Sequence, residues 1–107
     1  MQLPITIFNA AYFIMEAANN HVPGYMGLTA GASNLLVTFA TEQIKKKYVP
    51  NMLNMKWGGT MCLTEPQAGS SLSDITTTAK PLSDGNYALK GQKIFISASD
   101  HQFSDNF

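Results

Sequence analysis

Residues 61–74 read MCLTEPQAGSSLSD, and residues 95–97 read FIS. The side chains here that could do chemistry are the hydroxyls of Thr64, Ser70, Ser71, Ser73 and Ser97, the carboxylate of Glu65 and the thiol of Cys62. Hydroxyls clustered around Gly69 after an apolar run read, on their own, as a polar turn. For Ser71 and Ser73 the turn reading is preferred. Glu65 is the carboxylate that could abstract a proton. Cys62 sits in an apolar run with nothing to lower its pKa, so it reads as a small core residue. His21 and His101 lack the spacing of a metal site or a catalytic triad and read as surface or capping residues.

The chain that must position these groups has 107 residues, 45% of them hydrophobic. A domain of that length buries only about 65% of its unfolded surface. Seven basic and seven acidic residues balance, which leaves no electrostatic footprint for nucleic acid or an anionic membrane. One cysteine cannot form an internal disulfide, in keeping with a reducing compartment. No apolar run approaches the ~20 residues of a membrane span. The start MQLPITIFNA has no basic n-region, so a cytoplasmic location is expected.

Helical periodicity fills the first half. Phe8, Ala11, Tyr12, Met15 and Ala18 share one face of a helix that NNHVPG is expected to stop. Leu28, Ala32, Leu35, Leu36 and Phe39 mark the apolar face of a second helix. Thr41 caps a third, with Glu42 at its positive end and Lys45, Lys46 and Lys47 toward its negative end, closed by Pro50. The three lysines could bind phosphate but are better explained as a solvated helix terminus. After KWGG the character changes to strand: TMCL, then DITTTAK, an SDGN turn and YALKGQKIFISAS. In a strand running through Ser97, Ile94 and Ile96 face one side and Phe95 and Ser97 the other. The fold class is α+β, antiparallel helices followed by the opening strands of an antiparallel β domain, with residues 1–57 helical and 58–107 the first part of the β domain.

Thr-Glu-Pro-x-Ala-Gly-Ser at 64–70, followed by Gly-x-Lys-x-Phe-Ile-Ser at 91–97, resembles the central signature of the flavin-dependent acyl-CoA dehydrogenases. LTAGASNLLVTFATEQIKKKYVPNML resembles the helices that precede it, so the likeness covers nearly the whole chain. The spacing of GSSLSDITTTAKP and FISASDH is similar to the long, methylthiopropionyl-CoA dehydrogenase-like members. The resemblance implies a partial acyl-CoA dehydrogenase fold, a fragment spanning the end of the first helical domain and the start of the middle β domain.

It also implies FAD as cofactor, an acyl-CoA substrate, trans-2-enoyl-CoA as product, an electron-transfer flavoprotein as acceptor, and a homo-oligomer at full length. Met61, Cys62, Leu63 and Thr64 would lie along the flavin, with Thr64 and nearby amides donating to the pyrimidine edge. Gly69 would admit the backbone, and Ser70 would reach the pyrophosphate and the edge of the acyl-CoA site. Phe95 would lie against the ring and the Ser97 hydroxyl near N5, with Ile96 between them also counted among the cofactor-binding residues. Phe95 stands where the family commonly has Trp, and Ser71 where it commonly has Asp. The base comes from a later helical domain, so no catalytic residue is expected in this chain, and Glu65 is expected to fix the loop. An acyl-CoA oxidase shares this flavin chemistry. A non-catalytic remnant that binds flavin or partner chains would keep Thr64, Ser70 and Ser97 without a base.

Overall fold

The computed structural model describes residues 3–98 and 100–105. Within them α1 (Ile5–Ala18), α2 (His21–Phe39) and α3 (Glu42–Leu53) precede a single 3₁₀ turn (Leu72–Asp74) and the antiparallel strands β1 (Thr78–Pro81) and β2 (Tyr87–Lys90). This is the α+β order that the hydrophobic pattern implies. Two compact units divide the chain: residues up to Thr60 with those from Ser97 onward, and Met61–Ile96.

In the first unit, α1 starts on the Pro4 carbonyl, which accepts from the amides of Ile7 and Phe8. NNHVPG interrupts the helical run only at Asn19 and Asn20. The Asn19 amide closes α1 on the Met15 carbonyl, and its side-chain oxygen accepts from the His21 amide as α2 begins. Val22, Pro23 and Gly24 therefore lie inside α2. Proline is tolerated there because first-turn amides have no intrahelical partner to lose. The Tyr12 hydroxyl donates to the Pro23 carbonyl at 2.9 Å, tying α1 to α2.

The buried positions of α2 are Pro23, Thr29 and Ser33, whereas Leu35 and Phe39 are exposed. At Thr29 and Ala32 the backbone of Gly59 passes close over the helix and leaves room only for small residues. A Cβ at Gly59 would lie 2.8 Å from the Ala32 Cβ, and the Gly59 amide donates to Thr29 Oγ1 at 3.0 Å.

Thr41 caps α3 by accepting from the Ile44 amide. The helix runs on through Pro50 to Leu53, with Met52 buried, so Lys45–Glu42 is a pair in its first turns and no lysine occupies its last turn. The Asn51 side chain donates to the Lys47 carbonyl beside the proline, and Met55, at φ 59, turns the chain out of the helix. The segment beyond Ser97 returns to this unit. The Asp105 amide donates to the Lys56 carbonyl, and the Thr60 hydroxyl donates to the Ser97 carbonyl. His101, expected at the surface, is half-buried edge-on to Tyr25 with ring centroids 4.8 Å apart.

In the second unit β1 and β2 pair from Thr78↔Lys90 to Pro81↔Tyr87, closed by a turn in which Gly85 takes φ 83. TMCL forms no strand, and DITTTAK contributes only its end to β1. Pairing also stops at Lys90. Phe95 adopts a left-handed φ of 55, which ends the period-two alternation a strand through Ser97 requires. Among the described residues no helix is long and apolar enough to cross a membrane.

Candidate flavin-binding loop

Glu65 is the centre of the second unit. Only 2% exposed, it accepts through Oε2 from the Thr76 amide (2.8 Å), the Thr76 hydroxyl (2.9 Å) and the Gln67 side chain (2.7 Å). Its Oε1 accepts from the Thr77 amide (3.0 Å) and from Lys93 Nζ (2.8 Å). The Lys93 ammonium, then the donors of Thr77 and Thr76, hold its carboxyl far below the usual carboxylate range. A buried carboxylate so engaged anchors a loop. A proton-abstracting base needs a freer lone pair and a higher pKa.

Around this anchor the chain doubles back. The Glu65 amide donates to the Ala68 carbonyl and the Ala68 amide to that of Glu65, which forms the turn leading to Gly69. Lys93 Nζ also donates to the Leu63 carbonyl at 3.1 Å, and the Ile94 amide donates to the Thr64 carbonyl at 3.0 Å. The two segments singled out in the sequence are thus joined by direct bonds at 63–65 and 93–94. Sequence reasoning held Lys93 only as a position of the 91–97 signature, without a role, and passed over Gln67, Thr76 and Thr77. The available signal was a glutamate inside an apolar stretch, which on burial requires a counter-charge.

The outward groups remain available. Among the described residues no hydrogen bond uses the Thr64 hydroxyl, the amides of residues 61–64, or the hydroxyls of Ser70 and Ser97. Met61 and Ser70 are exposed, Leu63 and Thr64 half-buried. Cys62 is exposed, which corrects its expected core placement: with no strand at TMCL, no sheet covers the thiol. Ser71 and Ser73 bond each other at 3.2 Å beside the 3₁₀ turn. Nothing lies within 4 Å of a Cβ built on Gly69. Phe95 is 87% exposed on a left-handed backbone that costs a bulky residue about 1–3 kcal/mol. Ile96 is half-buried. Ser97 belongs to the first unit, where its carbonyl is bound by Thr60 and the residue is exposed. No cluster of three or more His, Cys, Asp or Glu side chains suited to a metal occurs among the described residues.

No family model matches the chain. Individual proteins do. It is 41% identical over 99% of its length to the 3-methylmercaptopropionyl-CoA dehydrogenase of Ruegeria pomeroyi, covering 18% of that protein. It is 44% identical over 87% of its length to a butyryl-CoA dehydrogenase of Syntrophomonas wolfei, covering 15%. The chain belongs to the acyl-CoA dehydrogenase family. The human mitochondrial very long-chain specific acyl-CoA dehydrogenase is a more distant member, 34% identical over 78% of the chain and 14% of its own length. The chain therefore spans less than a fifth of the length of each of these three relatives. Acyl-CoA dehydrogenases use FAD. The unused amides and hydroxyl at 61–64, the open space over Gly69 and the exposed Phe95 ring fit such a planar group rich in acceptors.

Proposed function

We propose that this chain works within a family-length acyl-CoA dehydrogenase as the part that cradles FAD. Residues 1–57 form the end of its first helical domain and 58–107 the opening of its β domain. The whole protein oxidises an acyl-CoA thioester to the trans-2-enoyl-CoA, passes electrons to an electron-transfer flavoprotein and works as a homo-oligomer. The chemistry FAD supplies is acceptance of a hydride from the substrate β-carbon.

This chain's residues bind and orient. The Thr64 hydroxyl and the amides of residues 61–64 donate to the pyrimidine edge. Gly69 admits the backbone to the cofactor. Ser70 donates at the pyrophosphate and borders the acyl-CoA site. Phe95 covers the ring, Ile96 borders the cofactor beside it, and the Ser97 hydroxyl donates at N5. The base that takes the α-proton lies elsewhere in the protein.

The observation that carries this reading is the bond between the Ile94 amide and the Thr64 carbonyl. It joins the two signature segments, and the Thr64 hydroxyl meets no hydrogen-bond partner among the described residues. The test is anaerobic addition of acyl-CoA thioesters of graded chain length to the flavin-loaded protein. Bleaching of the flavin band by at least one thioester is expected; a bound flavin that none of them bleaches overturns the substrate assignment.

A further inference from the structure

We propose that Lys93 is a positioning residue that aims the Thr64 amide at the flavin and strengthens it as a donor, an inference that rests on the cofactor reading above. If Lys93 only neutralised Glu65, one contact would suffice. Its Nζ instead bridges Glu65 Oε1 at 2.8 Å and the Leu63 carbonyl at 3.1 Å.

That second contact has a directional consequence. Cis peptide bonds are absent among the described residues, and across a trans peptide the carbonyl and the following N–H point opposite ways. With the Leu63 oxygen held inward by Lys93, the Thr64 N–H is directed away from the anchor, and it meets no acceptor among the described residues. The next peptide is fixed as well: the Thr64 carbonyl accepts from Ile94, and the Glu65 amide donates to Ala68. The Thr64 amide is therefore a preset donor.

The charge adds to the geometry. A cation on the Leu63 carbonyl draws electron density through the peptide and makes the Thr64 N–H a stronger donor, since bonds in a chain polarise one another. Reduction of a flavin places negative charge on its pyrimidine edge. A donor strengthened by Lys93 favours the reduced form and raises the potential of the bound cofactor. Glu65 acts in the opposite electrostatic sense while holding the ammonium in place.

The test is the two-electron midpoint potential of bound flavin, measured by spectroelectrochemistry on the flavin-loaded enzyme and its variants. Lys93→Met is expected to weaken reduced relative to oxidised flavin about tenfold, a fall of about 30 mV for a two-electron couple. Lys93→Arg, which keeps the charge, should stay near the parent. Glu65→Gln, which leaves the ammonium uncompensated, should shift the potential upward. Opposite signs for Lys93→Met and Glu65→Gln are what a merely structural brace would not produce. A loaded Lys93→Met enzyme at the parent potential, or shifts of the same sign, overturns the inference and leaves the cofactor reading intact. If Lys93→Met does not load, a Glu65→Gln potential at or below the parent's overturns it alone. A folded parent that retains no flavin overturns the cofactor reading and this inference together.

Discussion

Gly59→Ala is expected to loosen the segment that leads into the flavin loop. The new Cβ would stand 2.8 Å from the Ala32 Cβ, 3.0 Å from the Met52 Cε and 3.4 Å from the Thr29 Cα. Carbon atoms prefer roughly 3.5–4.0 Å, so the first contact is short by about 0.7 Å or more. Met52 Cε ends a flexible side chain and can swing aside. The Ala32 Cβ is fixed to α2, so the backbone at 59 must retreat and lengthen its 3.0 Å bond to Thr29 Oγ1. Overpacking costs about 1–3 kcal/mol and a lost hydrogen bond about 0.5–1.5 kcal/mol. Stiffening of the unfolded chain by alanine returns about 0.4–1 kcal/mol. The net is roughly 0.5–4 kcal/mol, or about 2- to 1,000-fold faster amide exchange if local opening governs it. Hydrogen exchange read by mass spectrometry over residues 57–60 measures this directly. Ala32→Gly removes the clashing methyl, so the double variant should recover much of the loss by a coupling of about 0.5–3 kcal/mol. Unchanged exchange in Gly59→Ala, or strict additivity in the double variant, would refute the close approach.

Three further outcomes follow from the site. The folded-state pKa of Glu65 is depressed, so its stabilisation is present above the ordinary glutamate value of 4.5 and is lost progressively as pH falls below it. Exchange of the Thr76 and Thr77 amides, corrected for intrinsic rates, should accelerate on acidification, and Glu65→Gln should abolish that dependence. In the flavin-loaded enzyme Ser97→Ala removes one hydrogen bond of about 0.5–1.5 kcal/mol, so stopped-flow flavin reduction should slow roughly 2- to 10-fold with occupancy unchanged; equal rates would remove Ser97 from N5. Glu65→Gln should lower the yield of flavin-loaded protein while the loaded fraction is still reduced by substrate; a well-folded, loaded variant that cannot be reduced would make Glu65 the base.

Local chemistry was legible in the sequence wherever a few neighbouring residues decide the outcome. Thr41 caps α3 with its own hydroxyl, and SDGN turns because Gly85 can take φ 83. The helix-then-strand order followed from the change of hydrophobic period. What stayed hidden depends on contacts distant along the chain. The burial of Thr29, while Leu35 and Phe39 are exposed, goes with its contact to Gly59, thirty residues away. Pro50 reads as a stop, yet α3 runs on through it to Leu53, where Met52 is buried. Ile94 to Ser97 alternates like a strand, and only the left-handed Phe95 shows that it is not one. In the loop the hydroxyls and Gly69 announced themselves by type, whereas Lys93 did not, since its meaning depends on Glu65 twenty-eight residues earlier.

The central claim is that residues 61–64 and 95–97 face FAD. Amide hydrogen exchange on the family-length protein, stripped of flavin and then reloaded with FAD, tests it most directly. The account predicts that FAD slows exchange at residues 61–64 and 95–97, whose amides enter no hydrogen bond among the described residues, and changes little at Thr76 and Thr77, which Glu65 already holds. Protection confined to other parts of the protein, with 61–64 and 95–97 exchanging as fast as before, would contradict it.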